Sequence, residues 1–277
     1  MPHSDSTPND PRQMLTELRK LLLEMDGALV AFSGGVDSTF LLKVAHDTLG
    51  DKVVAATCRT TTFPDRESEE ARLFCEVEGI RQIVFDLDVF AIEGFADNPP
   101  ERCYLCKKAI FNQISKIAVD NRLAYVIEGS NLDDSGDFRP GLRALEELGV
   151  RSPLREVGLS KADIRSLSEE LGLPTATKPS YACLATRFVY GESIDEQKLK
   201  MVGQAEQLLL DLGFQQVRVR THGELARVEL LPEEMGRLCA SGLARDVSRA
   251  LTELGFSYVT LDLGGYESGS MNRVLPK

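Results

Sequence analysis

The sequence predicts an α/β protein: a domain built on a parallel sheet, followed by a second, smaller α/β domain. Three observations carry this. Short apolar runs of strand length alternate with stretches of helical spacing along most of the chain. The first such run ends in a glycine pair that opens a helix. After Gly191 the rhythm changes to a long helix and a period-two pattern centred on His222-Gly223.

Residues 1–11 hold three prolines among Ser, Asp and Asn and are expected to be a mobile tail. A first helix follows, with Met14, Leu15, Leu18, Leu21, Leu22 and Met25 on one face. The run 27–32 reads as a strand that stops at Ser33-Gly34-Gly35, and 38–50 resumes helical spacing. Strand 52–58, a helix from Asp65 to Gly79 and strand 81–88 repeat the unit. Helix 106–121, strand 123–130 and helix 161–172 repeat it again. Such alternation implies a parallel sheet covered on both faces with right-handed crossovers, and ligands beyond the carboxyl ends of its strands. A helix over about 194–212, a hairpin about His222-Gly223, a helix near 241–254 and strand 256–263 form the smaller unit. The domains are therefore drawn as 12–190 and 191–277, with no internal repeat.

At 277 residues the chain can bury a full core, and 43% hydrophobic with 27% charged residues is globular composition. No apolar run approaches the roughly 20 residues that span a bilayer, and the N-terminus is polar, so a cytoplasmic protein that uses no membrane is expected. Six cysteines in so long a chain are no disulfide framework. A net charge of −11 repels phosphate backbones, which argues against a nucleic-acid partner. Any polyanionic substrate must then be met by a local arginine cluster.

Ser33, Gly34, Gly35, Val36, Asp37 and Ser38 form a phosphate cradle: glycines expose backbone N–H groups, two serines add hydroxyls, and a helix supplies its positive end. The loop lacks the Gly-Lys-Ser/Thr ending of a Walker loop, so transfer of a γ-phosphate is not implied. The Asp37 carboxylate suits either Mg²⁺ held against phosphates or a helix cap. The full string resembles the pyrophosphatase-loop ATPases, of the adenine nucleotide alpha hydrolase-like fold. The resemblance implies cleavage of ATP between its α and β phosphates, an adenylated intermediate and released pyrophosphate.

A second cluster, Ser130, Asn131, Asp133, Asp134, Asp137 and Arg139, ends the strand that begins at residue 123. It is either a polar turn or, on the same sheet edge as the Ser33 loop, a source of Mg²⁺-binding carboxylates and a cation for a substrate acid.

Cys103 and Cys106 stand two residues apart, and Cys183 lies in a third stretch, "KPSYACLATR". Cys58, Cys75 and Cys239 sit in apolar surroundings and read as packing or ordinary surface residues. A redox dithiol belongs just after a first strand, and structural zinc wants a fourth ligand that His3, His46 and His222 are not near in sequence to supply. Three thiolates fit a [4Fe–4S] cluster with one open iron, but spacing alone leaves cluster, zinc and free thiols open.

The glycine loop, "GSNLDDSGDFRPG", "KPSYACLATR", "VRVRTHGELARVEL" and "LDLGGYESGSMN" together resemble the LarE sulfur transferases over nearly the whole chain. The resemblance implies ATP-dependent conversion of the carboxylates of pyridinium-3,5-biscarboxylic acid mononucleotide to thiocarboxylates, for the nickel-pincer nucleotide of lactate racemase. One kind of LarE sacrifices a lone cysteine at the position of Cys183. The other joins that cysteine to a Cys-x-x-Cys pair around a [4Fe–4S] cluster that carries an extra sulfide, and Cys103 and Cys106 place this sequence with it. On this reading Ser33 to Ser38 bind pyrophosphate, Ser130, Asn131 and Asp133 complete the ATP site, and Asp37 helps hold Mg²⁺. Arg218 and Arg220 alternate on one strand face and with Arg187 suit a substrate-phosphate clamp; the alternative is a pair of solvated arginines. The implied partners are a small nucleotide substrate, a sulfide donor and further copies of the chain. The rivals are a related tRNA-thiolating ATPase and a non-catalytic nucleotide-binding protein with structural zinc.

Overall fold

The computed structural model describes residues 10–136, 140–179, 182–240, 242–267 and 269–274. The greater part of the expected tail, 1–9, lies outside these, as do Asp137 and Arg139. The chain divides into two compact units. Met1–Arg59, Asp65–Leu87 and Lys107–Ser180 form the first; Thr60–Pro64, Asp88–Cys106 and Tyr181–Lys277 form the second.

In the first unit, α1 (Pro11–Met25) starts where the Asp10 side chain accepts from the Arg12 amide and Pro11 fills the first helical position. Its apolar stripe buries Leu18 and Leu22 completely, each contributing about 1.5–3 kcal/mol. β1 (Ala28–Ala31), α2 (Val36–Leu49), β2 (Val53–Arg59), α3 (Asp65–Glu78) and β3 (Gln82–Asp86) follow. Then come α4 (Arg102–Asp120), β4 (Tyr125–Ile127), α5 (Pro140–Glu147), α6 (Pro153–Glu156) and α7 (Lys161–Glu170). The sheet is parallel throughout, in the order β3-β2-β1-β4.

Helices cover both of its faces, as a parallel sheet requires. Ala28, Val30, Val53 and Ala55 pack with residues of α1, α2 and α7. The alternate residues Leu29, Val54 and Ala56 pack with Phe111, Ile114 and Ala118 of α4 and Leu145 of α5.

Two expected boundaries shift. The strand expected over 123–130 pairs only through Ile127, because Glu128 binds the Ser130 amide and hydroxyl and folds the chain back. The helix expected from 106 begins at Arg102, one residue beyond Pro99 and Pro100, with the Arg102 amide donating to the Pro99 carbonyl. Cys103 and Cys106 therefore lie on the first turns of α4.

The second unit contains the start of α4 and then α8 (Glu196–Asp211), β5 (Arg218–His222), β6 (Leu225–Glu229), α9 (Pro232–Cys239), α10 (Leu243–Leu254) and β7 (Tyr258–Leu261). β5 and β6 form the expected hairpin through Gly223-Glu224, with Gly223 at φ 60°. β7 joins β6 in parallel, giving the order β5-β6-β7. A bridge from Phe188 to Thr221 lays the chain after Cys183 along β5. Among the described residues, no helix is long and apolar enough to cross a membrane.

Candidate functional site

The loop after β1 is built in the first unit. Gly34 takes φ 72°, and a Cβ there would stand 3.2 Å from the Ala71 Cβ and 3.3 Å from the Glu67 carbonyl, so only glycine fits without strain. Gly35 caps α2 with no side chain, leaving the helix's first N–H groups directed at the loop. The Ser33 and Ser38 hydroxyls lie 3.1 Å apart, and Ser38 Oγ also donates to the Gly35 carbonyl at 3.2 Å. Asp37, in the first turn of α2, accepts from Asn131 Nδ2 at 3.3 Å and from Lys161 Nζ at 2.5 Å.

The second strand-end cluster is held against this loop because β4 pairs with β1. Gly129 allows the approach: a Cβ at that position would stand 3.0 Å from the Ser38 amide nitrogen. The buried Glu128 carboxylate accepts from Ser130 Oγ at 2.9 Å and from Ser152 Oγ at 2.5 Å. Asn131 Oδ1 accepts from the Asp133 amide at 2.9 Å, and Asp133 accepts from the Lys161 amide at 2.8 Å. Asp37, Asn131, Asp133 and Lys161 thus form one connected group.

Two lysines of this group were not singled out in the sequence. Lys161 opens a helix behind a serine cap, where it reads as a solvated residue. Lys178, the first residue of "KPSYACLATR", donates to the Gly34 carbonyl at 3.1 Å, to Glu67 at 2.7 Å and to Glu70 at 2.6 Å. Burial works to lower its pKa, but the two glutamates prevail and hold it raised.

In the second unit, Cys183 caps a 3-10 turn over Leu184–Arg187 that is anchored by the Leu184 amide on the Thr62 carbonyl at 2.9 Å. Arg102 brings α4 to this turn: Nη1 donates to the Ala185 carbonyl at 2.8 Å, and Nη2 reaches Cys103 Sγ at 3.7 Å. Burial pushes the Cys183 thiol up, while the Arg102 charge opposes it and Cys103 adds to it. Arg102 thus touches both Cys103 and the turn that Cys183 caps, and Cys106 lies three residues along α4 from Cys103 on the same side of the helix. Burial pushes Cys58 and Cys75 up to about 12, and Cys239 is exposed.

Arg187 and Arg220 converge on the same turn, and all three arginines are buried rather than solvated. Arg187 makes a two-pronged pair with Glu206 at 2.7 and 3.0 Å, and its Nη1 donates to the Cys183 carbonyl. Arg220 pairs with Glu229 at 3.0 Å and donates to the Thr186 carbonyl. Arg218 lies over the Tyr266 ring at 5.2 Å and donates to the Val217 carbonyl. Burial, then repulsion from Arg187, depresses Arg218 to about 10. Arg227 joins Glu229 at 3.0 Å and Asp262 at 3.3 Å, so that Arg187, Arg220 and Arg227 are ion-paired with Glu206, Glu229 and Asp262. The glutamates and Arg227 were not anticipated, since alternating charges on a hairpin look like a solvated face.

Three sulfur donors within one unit suit a thiolate-held metal group in kind. Among the described residues, no three His, Cys, Asp or Glu side chains are grouped to hold a metal ion.

No family model matches the chain. An uncharacterized protein of Synechocystis sp. is 43% identical over 95% of this chain and 98% of its own length. The pyridinium-3,5-bisthiocarboxylic acid mononucleotide synthase of Lactiplantibacillus plantarum is 39% identical over 92% of each chain. A component of the glutamine-hydrolyzing GMP synthase of Methanocaldococcus jannaschii is 29% identical over 60% of this chain and 57% of its own. Near-complete likeness to the mononucleotide synthase, on a parallel sheet whose first strand ends in the Ser33–Ser38 loop, means that the chain belongs to the LarE family of pyrophosphatase-loop ATPases.

Proposed function

We propose that this chain is an ATP-dependent sulfur transferase that converts the carboxylates of pyridinium-3,5-biscarboxylic acid mononucleotide to thiocarboxylates, for nickel-pincer nucleotide synthesis. The observation that carries this reading is the 39% identity with a synthase of the bisthiocarboxylic mononucleotide over almost all of both chains. It is supported by a hydroxyl-lined glycine loop in one unit and neighbouring cysteines among buried arginines in the other.

In the first half-reaction a substrate carboxylate oxygen attacks the α-phosphorus of ATP. The bond to the bridging oxygen breaks and pyrophosphate leaves with the electron pair. The Ser33–Ser38 amides and hydroxyls hold the pyrophosphate, and Asp37 would hold Mg²⁺, in exchange for Lys161, to offset its charge. Ser130, Asn131 and Asp133 fix the loop beside it. Adenylation turns a carboxylate oxygen, a poor leaving group, into AMP, a good one. In the second half-reaction sulfur bonds to the acyl carbon as AMP departs, and a second round treats the other carboxylate.

Cys103, Cys106 and Cys183 would hold a [4Fe–4S] cluster, which when bound supplies a sulfide nucleophile that needs no general base. Arg187, Arg218 and Arg220 are assigned to the substrate phosphate, Arg187 and Arg220 from forks already set by Glu206 and Glu229.

The test is anaerobic turnover with the pyridinium substrate, ATP, Mg²⁺ and a sulfide source. Substrate-dependent pyrophosphate release with a product gaining sulfur for oxygen is expected. Pyrophosphate release indifferent to the substrate overturns the reading. A colourless protein holding zinc overturns the cluster, and conversion of Cys183 to dehydroalanine overturns sulfide transfer from it.

A further inference from the structure

Among the described residues, no carboxylate balances the charge of Arg102. The residue is 2% exposed, and among the described residues it makes no ion pair with a carboxylate. Its contacts are the Asn98 side chain, the Ala185 carbonyl, the Cys103 sulfur and the face of the Tyr190 ring at 5.7 Å. Arg187 and Arg220 are buried too, yet each is paired with a glutamate. A guanidinium does not shed its proton, and an unpaired buried charge is costly to a fold. The missing countercharge is therefore an anion that the folded chain acquires.

The groups nearest the guanidinium that can become anionic are sulfurs. Cys103 Sγ lies 3.7 Å from Nη2, and Cys183 feels the same charge. Asn98 fixes the guanidinium on this side. Asn98 is itself fully buried at φ 51°, and its Nδ2 donates to the Val189 carbonyl at 2.7 Å.

We propose that Arg102 is a positioning residue of the sulfur site, whose guanidinium supplies the countercharge for anionic sulfur held at Cys103 and Cys183. The proposal rests on the reading of these cysteines as sulfur carriers and goes beyond it. It assigns retention of sulfide to a residue that is neither a ligand nor a nucleophile.

The experiment compares full-length wild type, Arg102→Lys and Arg102→Gln, prepared anaerobically, loaded with ferrous iron and sulfide, and desalted. Iron and acid-labile sulfide per chain are measured, with melting temperatures before and after loading. Wild type and Arg102→Lys retain both elements, whereas Arg102→Gln retains about tenfold less. Unloaded Arg102→Gln melts no lower than unloaded wild type, because it has lost an uncompensated charge. Arg102→Gln that loads like wild type overturns the proposal. So does Arg102→Gln that fails to fold or melts lower unloaded, or Arg102→Lys that loads as poorly as Arg102→Gln, since the side chain is then a strut. Wild type that retains neither iron nor sulfide overturns the underlying reading of the cysteines, and the proposal with it, before any variant is compared.

Discussion

Asp37 accepts from both Lys161 and Asn131, so the Mg²⁺ site proposed there would exchange an ammonium for a divalent ion. Asp37→Asn keeps the size and removes the charge that makes the exchange favourable. Substrate-dependent pyrophosphate release should fall on the order of 10²-fold with unchanged circular dichroism. Glu206 gives a second residue-scale expectation. Burial works to raise its pKa, but the Arg187 fork prevails and holds it below the ordinary 4.5. A carboxylate depressed in the folded state adds stability above its ordinary pKa, and that stability is lost as pH falls through the lower folded value. Glu206→Gln strands Arg187 and should cost about 3–5 kcal/mol at pH 7. Thermal melts from neutral pH downward should then show the variant's deficit shrinking below the ordinary carboxylate range, as the wild type loses its own advantage.

At the scale of elements, α7 is set by a reciprocal cap in which Ser160 Oγ accepts from the Asp163 amide and Asp163 answers the Ser160 amide. Because the Lys161 amide also holds Asp133, this cap orients the loop beside Asp37. Ser160→Ala should lower stability by about 1 kcal/mol, read from the urea midpoint, and raise the KM for ATP. The long repeating elements were legible in the sequence: α1, the β1–loop–α2 unit and the β5–β6 hairpin follow directly from periodicity and glycine placement. The short helices α5, α6 and α9 were not, since pieces of four to eight residues carry too few turns for a period to register. Within the candidate site, the serines, glycines and cysteines were named from motifs. The partners that charge them, Lys161, Lys178 and Arg102, escaped because a lysine or arginine in a polar stretch looks solvated until distant segments cover it. Arg102 is buried by Ala185, 83 positions away in the chain. The same gap explains why Arg187 and Arg220 were expected as open cations and stand as halves of buried pairs.

For the molecule as a whole, the net charge of −11 is the governing electrostatic fact. Its buried arginines are largely matched by Glu206, Glu229 and Asp262, leaving little positive surface from this cluster to engage a long polyanion. At low salt, tRNA should therefore neither shift with the protein in a native gel nor inhibit pyrophosphate release. A salt-sensitive shift would revive the RNA-thiolating reading. Both units draw on separated stretches of chain, with 60–64 and 88–106 entering the second. This interleaving was not legible, because composition and periodicity change along the sequence and carry no record of which separated stretches pack together.

The glycine after β4 has a genetic consequence. Every amino-acid change reachable from a glycine codon by one base adds a Cβ. At Gly129 that carbon would meet the backbone of α2, with Ser38 N at 3.0 Å and Asp37 C and Ser38 Cα at 3.2 Å. No flexible side chain is there to yield. Gly236, by contrast, has nothing within 4 Å. In a saturation library selected for growth that depends on this enzyme, codon 129 should return glycine alone, while codon 236 drifts freely. Recovery of alanine at 129 as often as at 236 would show that α2 can be displaced without loss of function.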